Sequence, residues 1–298
     1  MIELLSSPLM QRALIAAVLV GAAGPVIGTF LVQRRLALLG DGIGHIALTG
    51  VAAGWLVGAV VGLTPPDALA LPGAMVVAVL GAVGIEWVRA KGRITGDVAM
   101  AILFYGGIAG GVLIIKIAGG TSANLMSYLF GSIATVSTND VVWTAVLAGV
   151  VLAVGLGLRG ALFAVSHDEE FARASGLPVG FLTSILAALA ALTVTVAMRV
   201  VGLLLVSALM IVPVATAQVV ARSFTRTMAL ASAIGAGVSV VGLVITYWYD
   251  LPPGAVIVVL AIVLYGVTTV VQHRRRRPDP TIDPHPDLAD DVRVVQET

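Results

Sequence analysis

The chain has 298 residues, 59% of them hydrophobic and 11% charged, against roughly a quarter charged in an average soluble domain. That balance excludes a soluble globular protein, and the absence of cysteine excludes disulfides, thiolate metal ligands and cysteine nucleophiles. The formal net charge of +1 hides a split, because the basic block Arg274 to Arg277 is followed by Asp279, Asp283, Asp287, Asp290, Asp291 and Glu297.

Apolar runs of about 18 to 23 residues recur from Leu9 to Val271, each long enough to cross a hydrocarbon core of about 30 Å as a helix. The first, roughly 10–33, has no cationic leader and is longer than a signal-peptide apolar stretch, so it is expected to stay in the mature chain. The second, roughly 42–63, opens with LLGDGIGHIA and carries Gly50, Gly54, Gly58 and Gly62. Glycine every fourth residue strips one helix face of side chains, which predicts close helix packing. The third and fourth, roughly 69–88 and 98–116, bring Glu86 beside Trp87 and Arg89, and Asp97 at a helix start.

The stretch TSANLMSYLFGSIATVSTN, roughly 121–139, has a short apolar centre between polar ends and reads as an outer interfacial or re-entrant piece. A fifth span is expected at roughly 141–158. The longest loop expected on the cytoplasmic side then contains Ser166-His167-Asp168-Glu169-Glu170-Phe171-Ala172-Arg173-Ala174-Ser175-Gly176-Leu177-Pro178. Ser166 with Glu169 three residues on predicts a capping box, Gly176 a helix stop and Pro178 the opening of the next span. This predicts a helix of about two turns at the membrane surface, either a solvated connector or an apolar face for a soluble partner. The remaining spans are expected at roughly 179–198, 200–221, 228–248 and 254–272, and the junction at Arg199 leaves no proper loop. One of those two spans is therefore broken or tilted, and an eight-span count stays open beside nine.

If the spans alternate, Arg34, Arg35, Arg89, Lys91, Arg93, Arg159, Arg173, Arg222, Arg226 and Arg274 to Arg277 share one side, and Arg12, Lys116 and Arg199 the other. The positive-inside rule then puts the N-terminus outside and the C-terminus in the cytoplasm. Tyr247, Trp248 and Tyr249 before Asp250-Leu251-Pro252-Pro253-Gly254 fit an aromatic belt and turn on the outer face. Residues 1–273 are thus expected to form the transmembrane domain, and residues 274–298 a disordered cytoplasmic tail that contacts anionic lipid through its arginines. A basic block so close to the bilayer does not read as a nucleic-acid site. The chain has no G-x-x-x-x-G-K-[ST] loop and no H-E-x-x-H motif, so ATP hydrolysis and zincin-type hydrolysis are not expected of it.

His45 is the only histidine in any predicted span, and Asp41 lies four residues before it. An ionisable group at membrane depth costs at least about 2.5 kcal/mol and faces a partner or a water-filled path. Positions i and i+4 share one helix face, so the pair can reach one cation; carboxylate plus imidazole suits zinc, manganese or ferrous iron, and the missing thiolates argue against copper(I). Two ligands are too few for a closed tetrahedral site, which suits a transit point, and a symmetric dimer could supply a second Asp and His. Two other readings stay open: Asp41 as a helix cap with His45 bonded to a carbonyl, and the pair as a proton relay.

Taken together, RRLALLGDGIGHIALTGVAAG (34–54), TGDVAMAILF (95–104), YLFGSIATVSTND (128–140), DEEFARASGLPV (168–179), RVVGLLLVSALMIVPVATAQ (199–218) and DLPPGAVIVV (250–259) resemble the metal ABC-3 permease family, over about residues 13–270. The resemblance implies an all-α polytopic membrane protein of eight or nine transmembrane helices, with a fold similar to the vitamin B12-type importers. It implies the permease subunit of an ABC importer for zinc, manganese or iron, a homodimer in the cell membrane. Its partners would be a cytoplasmic ATPase that holds the ATP and an extracytoplasmic metal-binding protein; no cofactor is bound permanently, and the metal is cargo, with zinc slightly preferred to manganese. Asp41 and His45 correspond to the family's metal path, and Asp168 to Gly176 to its coupling helix. Gly42, Gly44 and Thr49 depart from the usual family motif around the pair. A proton-coupled secondary metal transporter and a membrane scaffold are the rivals.

Overall fold

The computed structural model describes residues 7–92, 95–119, 128–129, 131, 136–198, 201–249 and 251–275. Among these residues the regular structure is helical throughout. α1 (Pro8–Gln33) is followed by α2 (Leu39–Val61), by a 3-10 turn (Pro66–Leu69) leading into α3 (Ala70–Ala90), and by α4 (Gly96–Ile117) and α5 (Thr138–Gly157). Two short helices, α6 (Arg159–His167) and α7 (Glu169–Ala174), precede α8 (Val179–Ala197), α9 (Leu203–Val220), α10 (Phe224–Tyr249) and α11 (Pro253–Arg275).

Among the described residues eight helices are long and apolar enough to cross a membrane, and the apolar part of α9, Leu205–Val220, is shorter. The expected span at roughly 200–221 is thus the abbreviated one. α8 ends at Ala197, and Gly202, at a positive φ of 89° that favours glycine, is the N-cap from which α9 starts at Leu203. Arg199 itself, most of the segment at 121–139 and the tail from 276 onward lie outside the described residues.

Two helices form the centre. α1 is packed by α5, α8, α9 and α10, and α2 by α3, α4, α8 and α9. α1 buries small side chains in succession, with Ala13, Ala16, Ala17 and Ala23 shielded together with Val20. Pro25 inside α1 has no N–H to offer the Gly21 carbonyl, and it is at this carbonyl that Gly235 of α10 makes its closest approach. The hydroxyls of Thr29, Thr193, Thr195, Thr216, Ser239 and Thr246 each donate to the carbonyl four residues earlier in their own helix. These groups therefore enter an apolar medium already hydrogen-bonded.

The glycine face of α2 meets neighbouring backbone at three of its four positions. A Cβ on Gly50 would lie 2.5 Å from the Gly73 carbonyl oxygen. One on Gly54 would strike the Leu69 carbonyl, and one on Gly58 the Pro66 carbonyl. Gly62 differs: it stands at φ 76° as the C-cap of α2, with nothing within 4 Å of an added Cβ. It ends the helix rather than packing it, because the fourth turn of the repeat falls where α2 stops and only glycine adopts the left-handed cap without strain.

Overpacking at a contact of this kind costs about 1–3 kcal/mol. Gly54→Leu is expected to unfold at lower temperature in detergent by that amount or more. Gly84→Leu, where an added Cβ has no neighbour within 4 Å, should stay within about 0.5 kcal/mol of the parent. Equal melting of the two variants would contradict the close contact between α2 and α3.

Candidate metal path and partner-docking helix

The first two turns of α2 carry Asp41 and His45. Asp41 lies inside the helix, not at its cap: the N-cap is Leu38, with no side-chain hydrogen bond closing the helix start. The Asp41 carboxylate instead reaches across to α9, where the Ser207 hydroxyl donates to Oδ1 at 3.4 Å. His45 is 4% exposed. Its ring meets Phe104 of α4 edge-on, with centroids 4.2 Å apart. Gly107, also on α4, lies so close to the His45 carbonyl that a Cβ there would collide with it.

His45 Nδ1 is buried without a hydrogen-bond partner. Leaving such a nitrogen unsatisfied costs about 1–3 kcal/mol, and buried polar groups in folded proteins are otherwise satisfied almost without exception. Asp41 is therefore not the cap of this helix, and His45 Nδ1 bonds no carbonyl. What the fold builds is a carboxylate and an imidazole one turn apart, with a hydroxyl from a second helix beside the carboxylate.

The pair sits well inside the bundle. Gly44 approaches Val194 of α8 and Leu203 of α9, and Val194 lies about 22 Å along α8 from Val179, at about 1.5 Å per residue. Among the described residues no group of three or more His, Cys, Asp or Glu side chains could close around a metal ion. The chain thus offers one or two oxygen donors and one nitrogen, an open ligand set. Ser207 was not singled out by sequence, since an isolated serine in an apolar run carries no signal until another helix brings a carboxylate to it. The side chain of Asp97 lies outside the described residues.

The loop expected to form one helix forms two. Ser166 belongs to α6, and its hydroxyl is buried with no partner. The helix α7 is capped by Asp168, which accepts from the Phe171 backbone N–H at 2.9 Å. The expected capping box from Ser166 to Glu169 does not form, because α6 continues through His167 and pushes the helix start two residues onward. His167 instead meets Gln33 at 2.8 Å and stacks on Phe163. Gly176, at φ 81°, ends α7 as expected, and the Leu177 N–H bonds back to the Ala172 carbonyl. Ala172 is fully buried, whereas Phe171 is 65% exposed. Glu170, Arg173, Ala174 and Ser175 are also exposed.

Glu86, in the last turns of α3, lies at the α7 end of the bundle and is buried between two arginines. Its Oε1 is 3.0 Å from Arg34 and its Oε2 3.2 Å from Arg89. Sequence reasoning also missed the start of α5, where Ser137 and Asp140 cap each other reciprocally.

The fold is that of a multi-pass helical membrane protein, with an Asp–His pair on one inner helix and a short helix presented at one end. The family model for the ABC 3 transport family matches residues 6–272. The manganese transport system membrane protein MntC of Listeria monocytogenes is 33% identical over 258 residues, covering 87% of this chain and 89% of that protein. The chelated iron transport system membrane protein YfeD of Yersinia pestis is 30% identical over 266 residues, covering 89% and 86%. Among solved structures, PsaBC from Streptococcus pneumoniae in complex with Fab superimposes with a TM-score of 0.78 at 32% identity, covering 90% of this chain and 93% of that one. The chain belongs to the ABC 3 transport family and is a membrane permease subunit of the ABC type.

Losing an N-cap side chain costs about 1 kcal/mol, which is about fivefold in a local opening equilibrium. Asp168→Ala is expected to speed amide hydrogen exchange across residues 169–175 by that factor, and Ser166→Ala to leave it unchanged. The reverse pattern would restore the capping box.

Proposed function

We propose that this permease imports manganese or iron, with manganese the leading cargo, along a path through Asp41 and His45. The observation that carries the reading is the orphaned Nδ1 of buried His45, one helical turn from the Asp41 carboxylate. A passing divalent ion supplies what that nitrogen lacks. Two chain ligands with one neighbouring hydroxyl hold an ion without enclosing it, and an ion must leave as readily as it enters. Oxygen donors such as Asp41 and Ser207 favour manganese over softer ions. The names of the relatives point the same way, so the slight preference for zinc gives way to manganese.

The energy is supplied elsewhere. We read α7 and its flanks, Asp168 to Gly176, as the element that docks a separate cytoplasmic ATPase, with exposed Phe171 as its apolar contact. ATP binds on that partner. An extracytoplasmic metal-binding protein delivers the cation to the opposite end, and two copies of the chain face each other in the cell membrane, with the N-terminus outside and the C-terminus inside. Charge distribution supports that orientation: Arg34, Arg89, Arg159, Arg173 and Arg222 all belong to the α7 side.

The test is cellular manganese, iron and zinc content by mass spectrometry under metal limitation, in cells that express the chain with its ATPase and binding protein. Asp41→Ala and His45→Ala are expected to bring manganese to the level of cells lacking the chain, at matched expression. Full accumulation of every metal in both variants would remove the pair from the path. Uptake that persists without the ATPase would favour proton coupling. Ser207→Ala removes a hydrogen bond worth about 0.5–1.5 kcal/mol, so half-maximal uptake should need about 2–10 times more metal.

A further inference from the structure

Five charged side chains form a row at the α7 end of the bundle. Arg89 Nη1 lies 3.2 Å from Glu86 Oε2, and Glu86 Oε1 lies 3.0 Å from Arg34 Nη2. The same Arg34 nitrogen is 3.5 Å from Glu169 Oε2, and Glu169 Oε1 is 3.3 Å from Arg173. The row runs from the last turn of α3, through the C-cap of α1, to the first turn of α7.

Its two rungs on Arg34 differ in kind. The Arg34 and Glu86 side chains are 5% and 6% exposed, so that pair is short and shielded from water and salt. Glu169 is 40% exposed and its contact is longer, the kind of pair that solvent and modest forces make or break. One nitrogen serves a fixed partner on the membrane side and a releasable partner on α7. Simple orientation of the chain by positive charge needs only solvated arginines, and does not account for an arginine buried to this degree between two carboxylates.

The backbone around Arg34 is held as well. Arg35 takes φ 59°, and the Leu36 N–H closes back on the Leu31 carbonyl. From there residues 36–38 lead directly into α2, whose first turn holds Asp41. α7 otherwise packs on α6 and touches α8, so Glu169 is its polar link to α1 and α3.

We infer that Arg34 is a positioning residue that transmits displacement of α7 to the ends of α1 and α3 and onward to the Asp41 turn, with the Arg34–Glu169 ion pair as the releasable contact. The inference rests on the reading that α7 docks the ATPase. It concerns neither metal binding nor ATP chemistry, and so predicts a defect in the ratio of the two processes.

The experiment uses the complete transporter, permease with ATPase and binding protein, in proteoliposomes, and measures manganese delivered per ATP hydrolysed. Arg34→Lys keeps a positive charge for the buried Glu86, but the lysine side chain is shorter, so its ammonium falls short of the position from which Arg34 Nη2 also reaches the longer Glu169 contact. The ratio is expected to fall about fivefold or more, with the half-saturating manganese concentration unchanged. A merely structural ion pair would lower uptake and hydrolysis together and leave the ratio as it was, which would overturn the inference. Should Arg34→Lys fail to fold, Glu169→Gln keeps the buried pair intact and is expected to lower the ratio in the same way.

Docking is checked separately. Because the chain has no cysteine, Glu170→Cys gives a single site for cross-linking to the ATPase. A cross-link together with an unchanged ratio overturns the role of Arg34 alone. No cross-link with Arg34 intact overturns the docking reading, and this inference with it.

Discussion

The structure depends on how closely the backbone of α2 can approach its neighbours. Gly50, Gly54 and Gly58 let the carbonyls of Gly73, Leu69 and Pro66 come to where side chains would stand. On the other flank, Gly107 of α4 lies against the carbonyl of His45, and the Thr49 hydroxyl donates to the Gly107 carbonyl at 2.8 Å. In lipid the hydrophobic effect does not drive helices together, so contact at this range supplies the dispersion energy that joins them. The same contact fixes the rotation of α2 about its axis. Rotation decides which residues of the first two turns face lipid and which face the interior, and it places Asp41 toward α9 and His45 against α4.

The medium then decides how each polar group is kept. Most buried hydroxyls return to their own helix, and the charges at the α7 end pair in a row. Among the described residues His45 Nδ1 and the Ser166 hydroxyl are the exceptions, buried and unpaired. The charged row at the α7 end pairs each of its members within the protein, whereas the Asp41–His45 pair keeps one ring nitrogen without a partner.

Much of the fold was legible in the sequence, for a physical reason. A hydrocarbon core admits only helices of a certain length, so apolar runs translate into spans with little ambiguity, and eight of nine expected spans are full-length helices. The ninth falls short where two runs met without a loop at Arg199. Helix starts were less legible. Ser166 and Glu169 have the spacing of a capping box, yet α6 extends through His167 and Asp168 takes the cap. The choice between two adjacent capping residues turns on where the preceding helix stops, which is set by packing.

The sequence by itself determined that the chain is a bundle of membrane helices and that Asp41 and His45 stand on one face of one helix. Its motifs, read in order, pointed to the transport family. Helical periodicity and the cost of charge in lipid act locally, so they can be read along the chain. Only the tertiary structure decided that Ser207 adjoins Asp41, that Gly62 ends a helix instead of packing one, and that Arg34 lies between Glu86 and Glu169. Those contacts join residues as much as 166 positions apart, and no local pattern encodes which helices a folded bundle brings side by side.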